Sequence, residues 1–254
     1  MTGAVMIRGL METDAPFIQS VELADPAAID RGAFPWTLPP VAALADGLEL
    51  DPKVTFLVGE NGSGKSTLIE AFAVAAGLNA EGGSRNFSFS TRDSHSDLSG
   101  ALRLERSLRR PKTDFFLRAE SFFTAATYLE SLPENPLASY GGRSLHEQSH
   151  GESFLALLLH RFGPEGLYFL DEPEAALSAQ NCLTCLRRMH ELVGQGSQFI
   201  VATHSPILLA YPGATIYECG EEGLTRVDYD DAGPVSLTRG FLAAPERFLS
   251  LLMD

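Results

Sequence analysis

The 254-residue sequence points to an α/β protein organised around a mostly parallel β-sheet. The short apolar runs VTFLV (54–58), LYFL (167–170) and QFIVA (198–202) have the length and composition of strands buried on both faces. Stretches with helical spacing stand between them, and strand–helix alternation of this kind builds a parallel sheet. The first run opens into a glycine-rich turn and the second into an acidic one.

Taken from the amino terminus, FIQSVEL (17–23) reads as a strand, and the segment around Pro35, Pro39 and Pro40 as a loop with short turns. After VTFLV, the helical spacing of STLIEAFAVAAG (66–77) stops at Gly77. Residues 82–113 are rich in Gly, Ser and Arg, with strand-like pieces NFSFS and ALRLE. DFFLRA (114–119) predicts another strand, SFFTAATYLE (121–130) a helix and 131–144 a polar loop. A helix over about 150–161 precedes LYFL, and one over about 179–193 precedes QFIVA. ATIYEC and LTRV predict a hairpin, followed by the amphipathic FLAAPERFLSLLM. The simplest organisation is one domain over 1–254 with a small insertion in about 82–165.

Composition narrows the function classes. Hydrophobic residues make up 44% and charged residues 20%, the balance of a globular protein. With 19 basic against 33 acidic residues the net charge is −14, a field that repels polyanions and argues against broad coating of DNA. No run approaches the ~20 apolar residues of a membrane span. The opening MTGAVMIRGLMETD carries acid early and lacks the apolar core of a signal peptide, so a cytoplasmic chain without membrane insertion is expected. Cys182 and Cys185 form a C-x-x-C, but they sit in a helical pattern on one face, without further ligands at finger-like spacing. Two core thiols are expected.

GENGSGKST (59–67) matches G-x-x-x-x-G-K-[ST] between a buried strand and a helix, the context this chemistry requires. Gly59, Gly62 and Gly64 permit the tight turns that converge backbone N–H groups on phosphate oxygens. The following helix directs its positive end to the same anion. Lys65 supplies a cation to the β- and γ-phosphates and Ser66 a hydroxyl to Mg²⁺. Gly59, Asn61, Gly62, Ser63, Gly64, Lys65, Ser66 and Thr67 are thus the candidate nucleotide contacts. In LYFLDEPEAALS the acids appear where a strand ends, the edge at which open α/β sheets bind ligands. Asp171 is expected to hold Mg²⁺ opposite Ser66, and Glu172 to accept a proton from attacking water.

The adjacent Asp-Glu, with the glycine-rich loop, resembles the ATP-binding-cassette (ABC) branch of phosphate-loop (P-loop) ATPases. The resemblance implies a P-loop NTPase of ABC-ATPase type: a mostly parallel central sheet flanked by helices, an amino-terminal antiparallel β portion, and a small helical insertion carrying a signature. It also implies a switch histidine after the next strand, which QFIVATHSP matches with His204. EAALS (174–178) is similar to the family's loop across a dimer interface, with Ser178 where Asp is common. The family signature, roughly Leu-Ser-Gly-Gly-Gln, is matched in QSHGES by Ser149, Gly151 and Glu152; His150 and Gln148 depart from it. Ser149-x-x-Glu152 is equally a capping box at a helix start. A serine-hydrolase elbow is excluded there, because Leu155 stands where the last glycine of G-x-S-x-G is needed.

Two family parts match loosely. Where a glutamine toward Mg²⁺ is usual, after DFFLRA, the chain offers Glu120, a metal candidate or a helix-capping acid. Phe34 or Trp36 stands where family transporters stack an aromatic on adenine, and either could instead pack on the sheet. The opening GENGSGKSTLIEAFA and the Thr-His-Ser-Pro ending look similar to the SMC- and RecF-like heads and to small bacterial AAA-family ATPases. The implied activity is ATP hydrolysis with ATP and Mg²⁺ as cofactors, by an ATP-sandwiched homodimer in which Ser149 and Gly151 close over the partner's nucleotide. Lys65, Glu172 and His204 are the expected catalytic residues. Nucleic acid or a DNA-bound protein is a further partner, with the basic run LRLERSLRRPK (102–112) as its local support and a solvated face as the alternative. The nucleotide-binding subunit of a transporter and an ATP-dependent interaction switch are the competing readings.

Overall fold

A computed structural model describes residues 15–80, 82–83, 97–119 and 150–253 of the chain. Six strands form the main sheet: β3 (Val54–Val58), β5 (Thr113–Arg118), β6 (Gly166–Asp171), β7 (Gln198–Ala202), β8 (Thr215–Gly220) and β9 (Gly223–Val227). Their order is β5-β6-β7-β3-β8-β9, parallel throughout except for the β8–β9 hairpin. A second, antiparallel sheet joins β1 (Ile18–Leu23) to β2 (Leu48–Glu49) and β4 (Leu102–Arg106), in the order β2-β1-β4. The expected α/β architecture with an amino-terminal antiparallel portion is therefore the one observed.

Strand pleat sorts the core into two layers. Val54, Phe56 and Val58 of β3 face one apolar cluster, with Tyr168 and Leu170 of β6 and Phe199 and Val201 of β7. Leu57, Leu167, Phe169, Ile200 and Ala202 face the other. The first layer is covered by α3 (His150–His160) and α4 (Ala179–Val193), through Phe154, Leu157 and Leu158 and through Cys182, Cys185, Met189 and Leu192. The second is covered by α2 (Lys65–Ala75) and the antiparallel sheet, through Leu68, Ile69 and Phe72 and through Ile18, Val21 and Leu23. Continuous apolar strands were legible in the sequence because both faces of this sheet are buried.

One buried amide ties the two sheets together. Gln198, 1% exposed, accepts from the N–H groups of Phe17 and Ile18 (2.9 and 3.0 Å) and donates to the carbonyls of Ile18 and Asp51 (2.9 and 3.0 Å). The amide thus uses both ends at once, as a buried polar group must.

Two expectations need correction. The segment read as irregular contains α1 (Pro39–Ala42), a 3-10 turn at Ala43–Asp46 and β2, whose two residues pair with Ser20 and Val21 of β1. The amphipathic tail is split between two helices, α5 (Gly233–Ala243) and α6 (Pro245–Met253), which break at Ala244, the residue before a proline, outside the helical region (φ −150°, ψ 63°). Ser178 is the N-cap of α4 and accepts from the Asn181 N–H. The expected NFSFS strand, 121–130 helix and 131–144 loop lie outside the described residues.

Cys182 and Cys185 are buried in α4, and among the described residues no cluster of three or more His, Cys, Asp or Glu is arranged for a metal. Burial pushes the Cys185 and Cys219 thiols up to about 12 and raises that of Cys182 as well. All three should resist iodoacetamide at pH 8 in the native protein and react after unfolding, as read by mass spectrometry. Rapid native alkylation of Cys185 would contradict this packing. No helix among the described residues is long and apolar enough to cross a membrane.

Candidate nucleotide-binding site

Because β3, β5, β6 and β7 run parallel, their carboxyl ends share one edge of the sheet. The 59–64 loop, Arg118, Asp171 and the Thr203–His204 turn all follow those ends. The loop turns through three positive-φ glycines, Gly59 (151°), Gly62 (80°) and Gly64 (97°). At Gly59 the constraint is also one of space: a Cβ would stand 2.4 Å from the Cys219 carbonyl oxygen and 2.9 Å from Ser63 Oγ. At Gly64 it would meet Leu38 Cδ1 at 3.2 Å, so the segment before α1 lies against the loop.

Lys65 opens α2 and is 3% exposed. Its ammonium donates to the carbonyls of Gly59 and Glu60, both at 2.9 Å. Burial lowers its pKa, against upward pulls from Glu172, Cys219, Asp171 and Glu174. Ser66 Oγ donates to Asp171 Oδ1 at 3.0 Å, across 105 residues of sequence. Between their strands lies β7, so the pair spans a neighbouring strand at the sheet edge.

Glu172 adopts a left-handed conformation (φ 50°, ψ 52°), unusual for a side chain and costing about 1 kcal/mol or more. Its N–H donates to the Ala202 carbonyl at 2.9 Å. The carboxylate Oε1 lies 3.4 Å from His204 Nε2. Glu174, on the Pro173–Ala176 turn, accepts from the His204 backbone N–H and so fixes the histidine turn to the acidic one. Ser63 Oγ, Glu174 Oε2 and His204 Nε2 are buried without a hydrogen-bond partner, which is uncommon for buried polar atoms.

The donor set can be tested against a metal–nucleotide. Mg²⁺ favours oxygen ligands and is commonly held by one or two protein groups, with water and phosphate completing its shell. Ser66 and Asp171 provide such oxygens beside an ammonium and a glycine-rich loop. The residues present fit Mg²⁺ with a polyphosphate, and not an all-protein metal cage.

Of the expected site residues, Lys65, Ser66, Asp171, Glu172 and His204 are brought together. Gly151 is in the first turn of α3, where a Cβ would meet the Ala176 carbonyl and Asn181 Nδ2, both at 3.1 Å. It therefore stands against the turn after Glu172 and not against Lys65 of its own chain. Ser149 and Glu120 lie outside the described residues. Trp36 packs on the second core layer, whereas Phe34 is 68% exposed. Sequence reasoning missed Glu174, Arg118 and Glu70. Arg118 Nη1 donates to Glu70 Oε2 at 2.6 Å, and its Nε is 3.5 Å from Asp171 Oδ2.

Two family models match the chain. One, described as an AAA domain, covers residues 45–120; the other, described as an AAA domain, putative AbiEii toxin, type IV TA system, covers 131–210. Over these two segments the chain is similar to AAA domains, and its architecture is α/β with a mostly parallel sheet and a separate antiparallel one. The AAA-domain matches support nucleotide binding. Curated relatives include the opaque-specific ABC transporter CDR3 of Candida albicans, 25% identical over 222 residues, which cover 72% of this chain and 14% of the transporter. The brefeldin A resistance protein of Schizosaccharomyces pombe is 26% identical over 220 residues, again 72% of this chain and 14% of the relative. The chain thus matches only about one seventh of the length of these relatives. Among solved structures, the SMC head domain from Thermotoga maritima is 18% identical, covering 72% of this chain and 93% of that one, with a TM-score of 0.41. For cbiO1 from Clostridium perfringens, part of the ABC transporter complex cbiONQ, the values are 17%, 82%, 90% and 0.43.

Proposed function

We propose that the chain binds MgATP at the P-loop edge of its sheet and hydrolyses it as an ATP-sandwiched homodimer. The observation that carries the reading is the Ser66–Asp171 contact of 3.0 Å, with Lys65, Glu172 and His204 around it. In this reading the loop N–H groups and the Lys65 ammonium bind the phosphates. Ser66 and Asp171 hold Mg²⁺, which when bound neutralises charge on the phosphate oxygens. Glu172 accepts the proton of the attacking water, and His204, fixed through Glu174, contacts the γ-phosphate. Phe34 is the exposed aromatic available to adenine. Ser149 and Gly151 are proposed to close over the nucleotide of a second copy, which makes association ATP-dependent.

Loss of the ammonium should be visible in binding alone. Lys65→Ala is expected to weaken a fluorescent ATP analogue by about 10- to 100-fold, the worth of a charged hydrogen-bonding group. Unchanged affinity, with the fold intact by circular dichroism, would remove the phosphate site from the 59–67 loop.

A second reading, the nucleotide-binding subunit of a transporter, draws support from the transporter relatives and predicts co-purification with a membrane partner. Coupling to nucleic acid has to contend with partners inside the chain. In the basic run, Arg103 pairs with Glu22, Arg106 donates to the Ala75 carbonyl, Arg109 donates to the carbonyls of Ala15 and Gly196, and Lys112 pairs with Glu165. DNA binding measured against salt, with and without ATP, separates the two readings.

A further inference from the structure

The residue at the end of β5 has no role in the reading above, yet the sheet sets it beside the proposed metal carboxylate. The parallel register pairs Arg118 directly with Asp171, and the Ala119 N–H donates to the Asp171 carbonyl at 3.2 Å. The guanidinium therefore stays beside that carboxylate by backbone pairing as well as by charge. Its Nε lies 3.5 Å from Asp171 Oδ2, while Oδ1 of the same carboxylate accepts from Ser66. Nη1 reaches back 2.6 Å to Glu70 on α2, and the guanidinium carbon sits 5.9 Å from the centre of the Phe116 ring. All three charged side chains are mostly buried, at 22% exposure for Arg118, 19% for Glu70 and 7% for Asp171. Charge interactions at such exposure are only weakly screened by salt.

We infer that Arg118 is a positioning residue that guards the metal carboxylate: it holds Asp171 turned toward Ser66 and repels a divalent cation that arrives without a nucleotide. A guanidinium cannot be deprotonated in a protein, so its charge is always present at this position. A bare cation approaching this carboxylate meets that charge 3.5 Å from Oδ2. A polyphosphate changes the balance, because its negative charge outweighs the guanidinium and gives Arg118 a partner beyond Glu70 and Asp171. Glu70 holds the side chain in reach of Asp171 and keeps it from closing onto both carboxylate oxygens. Metal then enters the site with nucleotide and not ahead of it. This inference rests on the proposed role of Asp171 as the Mg²⁺ ligand.

The test is binding of Mn²⁺ alone to the nucleotide-free full chain, followed by electron paramagnetic resonance of the free ion. Removal of the charge in Arg118→Gln should tighten Mn²⁺ about tenfold or more, given the strength of charge–charge repulsion at this range. Arg118→Lys keeps the charge and should stay within about threefold of the natural protein, since repulsion and not fork geometry sets the effect. A residue that only props the fold would give the opposite sign, with weaker metal binding on removal. Unchanged or weaker Mn²⁺ binding by Arg118→Gln, in a chain whose Asp171→Asn variant loses the metal, overturns the inference alone. If Asp171→Asn binds Mn²⁺ as the natural protein does, the metal-site reading falls and the inference falls with it.

Discussion

Glu172→Gln is expected to lower ATP turnover by about two to three orders of magnitude while nucleotide binding persists, the usual effect of removing a general base. The amide keeps the size of the side chain but cannot take a proton from water. Its backbone is held left-handed and its N–H is bonded to Ala202, so the substitution leaves the turn in place. With hydrolysis slowed, the ATP-bound form accumulates. Mass in solution, by light scattering, should then approach that of two chains with MgATP and one chain without it. Wild-type turnover in this variant would remove Glu172 from the chemistry. A monomer at saturating MgATP would remove the sandwich and leave the P-loop site standing.

Gln198→Ala should produce the largest loss of stability, about 3–5 kcal/mol. The side chain serves four backbone groups of Phe17, Ile18 and Asp51, all in the interior between the two sheets. Alanine leaves those groups without their partner and adds a void. For a chain of this size the melting temperature should fall by roughly 10–15 °C. A fall under about 3 °C would mean that the amino-terminal sheet contributes little to the cooperative unit. Because Gln198 begins β7 and the nucleotide edge lies beyond its other end, ATP affinity at low temperature should change far less than stability.

What could be read from the sequence followed from the chain's own local pattern. VTFLV, LYFL and QFIVA declare themselves as buried strands, and the loop of glycines and the Asp-Glu pair declare their chemistry through spacing. Positions that depend on lateral register stayed hidden. Arg118 gains its meaning only when β5 lies beside β6, since the pairing with Asp171 crosses about fifty residues of chain. Glu174 is an ordinary acid in a turn until β7 delivers the His204 N–H to it. Gln198 reads as a polar residue opening a strand, and nothing nearby in sequence announces the four partners it serves. β2 is too short for any pattern and exists because β1 offers it an edge.

The two-layered core gives the sheet a mechanical asymmetry. The helix α2 is packed into one layer, whereas α3 belongs to the other, with its Gly151 against the turn after Glu172. The carboxyl edge is where both layers present polar groups to the same small space. A ligand drawn in there pulls on the two layers from a single point, as a rivet does on two plates.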